Sequence, residues 1–196
     1  MKVKKAAAAA ILISLILTAC GSTTATSTTE TAASEQTAIA NEEDENMTET
    51  TKRVASDGAQ MQTEDKTIAT RIPPENGTKI NIRFGDDAVI TGVLNDSDTA
   101  KALIAKLPYT VHMSRYSHDF CGVTEELPYN EDEVHYGWLN GDIDYAIDAP
   151  YFTILFKDED ESEQFGYQVN IGVITSPLAE IDALNGSYDV TVELAE

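Results

Sequence analysis

The side chains best suited to chemistry lie in the aromatic-rich C-terminal part of this 196-residue chain: His112, His118 and His135, the thiol of Cys121, and the guanidinium groups of Arg83 and Arg115. As a zinc triad the histidines would need a carboxylate or water to complete the site. His118-Asp119 is the nearest candidate pair, but no short ligand pair has zinc-site spacing. They read as isolated surface histidines, with His112 on the outer face of a strand. Cys121, flanked by Phe120 and close to Val123, reads as a packed thiol and not a nucleophile. There is no glycine-rich phosphate loop, no Gly-x-Ser-x-Gly turn and no His-Glu-x-x-His helix. The acidic clusters at Asp96–Asp98 and Asp158–Glu163 lack the oxygen-ligand spacing of a calcium loop. Carboxylates are too numerous for any pair to be singled out as a glycosidase dyad. No catalytic residue, cofactor or metal is therefore assigned. What remains is a concentration of aromatic residues around Arg115. Arg115, Tyr116, Phe120, Tyr129 and Trp138 form the candidate binding face, of a kind that accepts an extended peptide or an apolar ligand.

One further cysteine has a distinct chemistry. Lys2, Lys4 and Lys5 precede an uncharged run, 6–19, that is too short to span a hydrocarbon layer of about 30 Å as a helix. The run ends Leu17-Thr18-Ala19-Cys20, which resembles the lipobox of bacterial lipoproteins. The resemblance implies that residues 1–19 are a signal peptide and that Cys20 receives a diacylglycerol, with further acylation such as palmitate. One acyl chain binds membranes with a constant of only about 10⁴ M⁻¹, whereas two or three on one residue anchor stably. The expected location is extracytoplasmic, on the outer face of a bacterial cell membrane. With Cys20 acylated, Cys121 has no intramolecular disulfide partner.

The chain carries a formal net charge of −21, with 34 acidic and 13 basic residues. Such a field repels phosphate backbones, so nucleic acid is excluded as a partner. Residues 20–76 are rich in Thr, Ser, Ala and Glu and poor in large apolar side chains, and cannot repay the entropy of ordering. They read as a lipid-anchored, disordered acidic linker. Met47, Val54, Met61 and Ile68 are spaced near seven, but too sparsely for an apolar helix face. The single tryptophan, all five phenylalanines and all eight tyrosines fall in 77–196, which is long enough for one core.

Within 77–196 the period is mostly two. Ile80, Ile82 and Phe84 alternate with polar residues, Gly85-Asp86-Asp87 turns the chain, and 88–94 completes a hairpin. Ser97 or Asp98 caps a short helix whose stripe is Ala100, Leu103, Ile104 and Leu107, ended by Pro108. Tyr109, Val111 and Met113 resume the strand period, and 114–141 reads as irregular. Further strands are expected at Ile143–Ile147, Phe152–Phe156, 164–174 and Tyr188–Leu194, with a solvated acidic turn at 158–163 and a short helix at Pro177–Leu184. Seven or eight strands with two short helices fit a closed barrel, which leaves no long edge exposed. An open α+β sandwich is the competing arrangement.

The order of these features resembles the bacterial cyclophilin-like domain family. The resemblance is carried by Phe84-Gly85-Asp86, the run Leu94 to Ala100, Leu107-Pro108, and the segment Phe120-Cys121-Gly122-Val123-Thr124-Glu125-Glu126-Leu127-Pro128. Gly141-Asp142-Ile143, Phe152 to Asp158 and Ile171-Gly172-Val173-Ile174 extend it across 78–185. It implies a mainly β, cyclophilin-like closed barrel of about eight strands. Prolyl isomerases of the related fold add an apolar proline pocket and an arginine that assists rotation about the amide. Here only Arg83 and Arg115 are available, and Arg83 points to solvent from its strand. The expected function is non-enzymatic binding of a peptide, protein or small ligand at the cell surface. A peptidyl-prolyl isomerase or folding factor is the first alternative, and a structural accessory surface protein the second.

Overall fold

A computed structural model describes residues 57–196. The strands are β1 (Thr78–Phe84), β2 (Ala88–Leu94), β3 (Tyr109–Arg115), β4 (Asp119–Val123), β5 (His135–Tyr136), β6 (Asp142–Ala146), β7 (Tyr151–Leu155), β8 (Gly166–Ile174) and β9 (Ser187–Leu194), and all but β4 and β5 lie where the alternating apolar period predicts them. Hydrogen bonding runs β2-β1-β9-β3-β4-β7-β6-β8, and β8 pairs back onto β2. Eight strands thus close a barrel, with two-residue β5 attached to β8 outside the ring. The closed barrel replaces the open sandwich as the arrangement of these strands.

Register follows from the inward residues. Ile82 faces Ile90 on one side and Val192 on the other, Val111 pairs with Val190, and Phe120 and Ile143 both flank Ile154. These residues, with Ile80, Phe84, Met113, Phe152 and Ile171, are buried in one core. The interior is packed with side chains, as expected of a barrel of this strand number. Helix α1 (Asp98–Ile104) begins where Ser97 Oγ accepts from the Ala100 N–H at 3.1 Å, and its Ala100 and Leu103 are buried. Helix α2 (Leu178–Asp182) buries Leu178 and Ile181.

Three expectations are corrected. The stretch 114–141 contains β4, which the sequence hides because its inward positions are Phe120 and Gly122. A Cβ on Gly122 would lie 2.4 Å from the His112 carbonyl oxygen, so close strand approach requires glycine where the pattern calls for an apolar residue. The acidic run is not only a solvated turn: Glu159–Gln164 is a 3-10 helix that buries Glu159 and Ser162. Glu159 accepts from the Asn140 N–H at 2.7 Å and is paired with Lys66.

The third concerns the expected linker boundary at residue 76. Residues 57–76 lie within the described part, and Met61, Ala69, Thr70 and Arg71 are buried. Met61 bridges Arg71, and the Thr70 N–H donates to the Asn140 carbonyl at 2.7 Å. This segment is a strap across the outside of β6, and packing against the barrel includes residues ahead of 77. Cys20, the leader and most of the linker lie outside the described residues.

Candidate functional site

Strand alternation puts Phe152 and Ile154 inside the barrel and turns Thr153 outward. Likewise Phe120 points in while Asp119 and Cys121 point out. Asp119, Thr153, Leu155 and Gln168 line the floor of an open cleft of about 400 Å³ on this outer face. His118, Tyr136, Trp138, Phe165 and Tyr167 also line it. The rings touch one another: His118 to Trp138 at 4.7 Å between centroids, Trp138 to Phe165 at 5.6 Å, and Tyr136 to Tyr167 at 4.9 Å.

Local structure fixes this arrangement. The Trp138 indole N–H donates to the Lys157 carbonyl at 2.9 Å, so its ring is held and only 5% exposed. The Gln168 side-chain amide donates to the Gly137 carbonyl at 2.6 Å, and the Gly137 N–H donates to the Phe165 carbonyl at 2.7 Å. A Cβ on Gly166 would fall 1.9 Å from the Tyr136 ring, so the glycine lets that ring lie across β8. Tyr167 next to it has φ of 59°, the left-handed region that a bulky residue seldom occupies. Such strain is of order 1–3 kcal/mol and concentrates at functional sites. Phe165 and Tyr167 remain 45% and 51% exposed.

The floor holds one titratable carboxyl, that of Asp119. Burial pushes the Asp119 carboxyl up to about 6, against the opposing pull of His118. Burial, then the Asp119 charge, pushes the Cys121 thiol up to about 12, which keeps it protonated and disfavours nucleophilic attack.

A second cleft, about 900 Å³, also has Tyr136 in its lining. It is polar, bounded by the Asn95–Asp98 turn, Asn130 to Tyr136 and the strap residues Asp57 and Arg71. Behind it the strap covers Asp142 and Asp144, the outward residues of β6, both fully buried. Arg71 holds Asp142 with two bonds, Nε to Oδ1 at 2.7 Å and Nη2 to Oδ2 at 2.8 Å, and its Nη1 donates to Asp57 Oδ2 at 2.6 Å. Burial, then the Asp142 charge, raises the Asp144 carboxyl well above its ordinary range, which favours its neutral form.

The five candidate residues do not form one face, although the Arg115 guanidinium lies over the Phe120 ring at 5.9 Å. Phe120 is fully buried, in edge contact with Phe84 at 5.0 Å. The Arg115 guanidinium sits 4.7 Å over the Phe156 ring, donates to the Leu184 carbonyl at 3.0 Å and pairs with Asp182 at 2.6 Å. Tyr116 and Tyr129 are exposed but line neither cleft, and only Trp138 is part of the aromatic wall. Arg115, Phe120 and Trp138 therefore share no groove. Proximity in sequence misled because Phe120 and Arg115 serve the core and its rim. Phe165 and Tyr167 read as ordinary strand residues in the sequence, where their only signal is two aromatics flanking Gly166 after an acidic run.

The histidines are likewise dispersed. His112 is exposed and bonds Asp189 at 2.8 Å, His118 is in the aromatic wall, and His135 is buried, contrary to the surface position expected for all three. Among the described residues no group of three or more His, Cys, Asp or Glu is placed to hold a metal ion.

Comparison with known proteins agrees with this architecture. The model of the Cyclophilin-like family matches residues 82–193. The solution structure of a hypothetical protein from Archaeoglobus fulgidus superposes with a TM-score of 0.51 at 20% identity, covering 62% of this chain and 98% of that one. At that identity the likeness speaks for the fold alone. No curated protein matches the chain. The closed eight-strand barrel and the family match over 82–193 together show that this chain belongs to the Cyclophilin-like family.

Proposed function

We propose that the protein is a non-enzymatic binding module, held at the outer face of a cell membrane through lipid on Cys20, that takes an extended peptide segment into the aromatic cleft. The observation that carries this reading is the exposure of Phe165, Tyr167 and Tyr136 above a floor of half-buried Asp119 and buried Thr153 and Gln168. Rigid aromatic surface bordered by hydrogen-bonding groups is what a peptide's side chains and amides together require. The leader ending Leu17-Thr18-Ala19-Cys20 supports the location. Two features favour binding over catalysis. Arg115, the arginine singled out for an isomerase, is already satisfied by Asp182 and Leu184, and the Cys121 thiol is raised away from reactivity.

The test is titration of the protein with short peptides containing aromatic and proline residues, read by fluorescence of Trp138. Binding weakened about tenfold by Phe165→Ala, in line with roughly 1–3 kcal/mol for an aromatic anchor, is the expected result. The same peptides serve in a proline-isomer assay. Catalysis abolished by Arg115→Ala would overturn the non-enzymatic reading in favour of a prolyl isomerase.

A further inference from the structure

The polar cleft has an independent chemistry. His135 is 6% exposed and its Nε2 is buried without a hydrogen-bond partner. Its Nδ1 lies 3.4 Å from the Tyr136 carbonyl oxygen, which can only accept. In the uncharged ring that contact places the proton on Nδ1 and leaves Nε2 as a bare lone pair. Asp57 Oδ2 stands 4.0 Å from Nε2. Two acceptors thus face one another across a gap too wide for a direct hydrogen bond. A single nitrogen placed about 2.9 Å from each would donate to both.

We propose that this cleft binds an organic cation through a primary ammonium group seated between His135 Nε2 and Asp57 Oδ2. An ammonium supplies several donors from one atom, which the two acceptors need, and bonds to charged groups are the stronger kind. The field favours the same sign. Five carboxylates line the cleft against two cationic side chains, Arg71 and Lys101. Arg71 is spent on Asp57 and Asp142, and Lys101 lies 3.7 Å from Asp98. Asp96, Asp132 and Glu133 on the exposed rim are left to attract a second positive group. A cleft of about 900 Å³ has room for a chain of methylenes between two ammonium groups. Linear diamines and lysine side chains share this chemistry, and the volume and acidic rim favour the diamine.

Calorimetric titration of the full chain at low salt, with cadaverine and spermidine as probes, tests the proposal. A lysine-bearing tripeptide with blocked ends distinguishes the polypeptide source, and pentanediol is the uncharged control. Saturable binding of the amines, absent for pentanediol, is expected. His135→Phe should weaken it about tenfold or more, the loss of one charge-assisted hydrogen bond. Because a buried histidine could matter for folding, the rim variant Asp132→Asn with Glu133→Gln provides a second reading. It should leave the melting temperature unchanged and reduce binding several-fold. Tighter binding of the tripeptide than of cadaverine would assign the site to a lysine side chain and overturn the diamine preference. Equal binding of pentanediol, indifference to both variants, or full displacement by equimolar magnesium chloride would overturn the proposal as a whole.

Discussion

Replacing Arg71 by methionine probes whether the strap is part of the barrel. The side chain is 7% exposed, and its guanidinium makes two bonds to Asp142, which is fully buried. Methionine retains most of the aliphatic stem, so packing survives while the charge is lost. Asp142 then keeps one strong partner, the Leu139 N–H at 2.8 Å. Removing one member of a buried ion pair costs about 3–5 kcal/mol, because the other charge is left uncompensated. Typical domain stability is about 5–15 kcal/mol, so the loss is a large fraction of the whole. At about 2–4 °C per kcal/mol for a chain of this size, the melting temperature should fall by roughly 6–20 °C. The sign with pH is also fixed. Burial raises the Asp142 carboxyl even with Arg71 beside it, and loss of Arg71 raises it further, so in the variant the contribution of Asp142 to stability is greatest in acid and declines more steeply as pH rises toward neutrality. Urea denaturation followed by Trp138 fluorescence, at pH 5 and pH 7.5, measures both effects. Adding Asp142→Asn, which keeps an acceptor for Leu139 without a charge, should restore at least half of the loss. A loss below about 1 kcal/mol would mean that residues 57–71 detach without consequence and that the strap is not structural, and a full loss without rescue would mean that the uncompensated Asp142 charge is not its cause.

Other outcomes follow from the same geometry. Asp119, whose carboxyl is raised to about 6 by burial, favours the folded state most when protonated, so its contribution is complete below about pH 4 and is lost as pH rises through about 6. Asp119→Asn should remove that decline, detected as a flatter melting temperature between pH 4 and pH 7. Cys20→Ala should release the protein from the membrane fraction or leave an uncleaved precursor, and unchanged processing and retention on fractionation would remove the lipid anchor from the account.

The barrel was largely legible because its inward residues are apolar at period two. Ile80, Ile82 and Phe84, Val111 and Met113, and Val190 and Val192 each announce a strand. Ser97 announces a helix start for an equally local reason. Strand β4 was hidden by Gly122, which a close neighbouring strand demands and a hydrophobic pattern cannot show. The strap was hidden more deeply. Arg71 looks like any charge in a polar stretch until Asp142, 71 residues away, is seen beneath it. Asp142 and Asp144 in turn sit where alternation puts polar residues toward water, and only long-range folding covers them. The aromatic wall draws on His118, Trp138 and Phe165 from separate loops. Its membership is a property of the closed barrel and not of any sequence window, which is why Arg115 and Phe120, near neighbours of His118 along the chain, proved to belong elsewhere.

If the outer-face cleft is the binding site, amide shifts of the isotope-labelled protein, mapped as an aromatic and proline-containing peptide is added, will locate it. The largest changes should fall on His118, Asp119, Tyr136 to Trp138 and Phe165 to Gln168, and they should saturate together. Changes centred on Tyr116 and Tyr129, or a spectrum that does not move at any peptide concentration, would contradict that location.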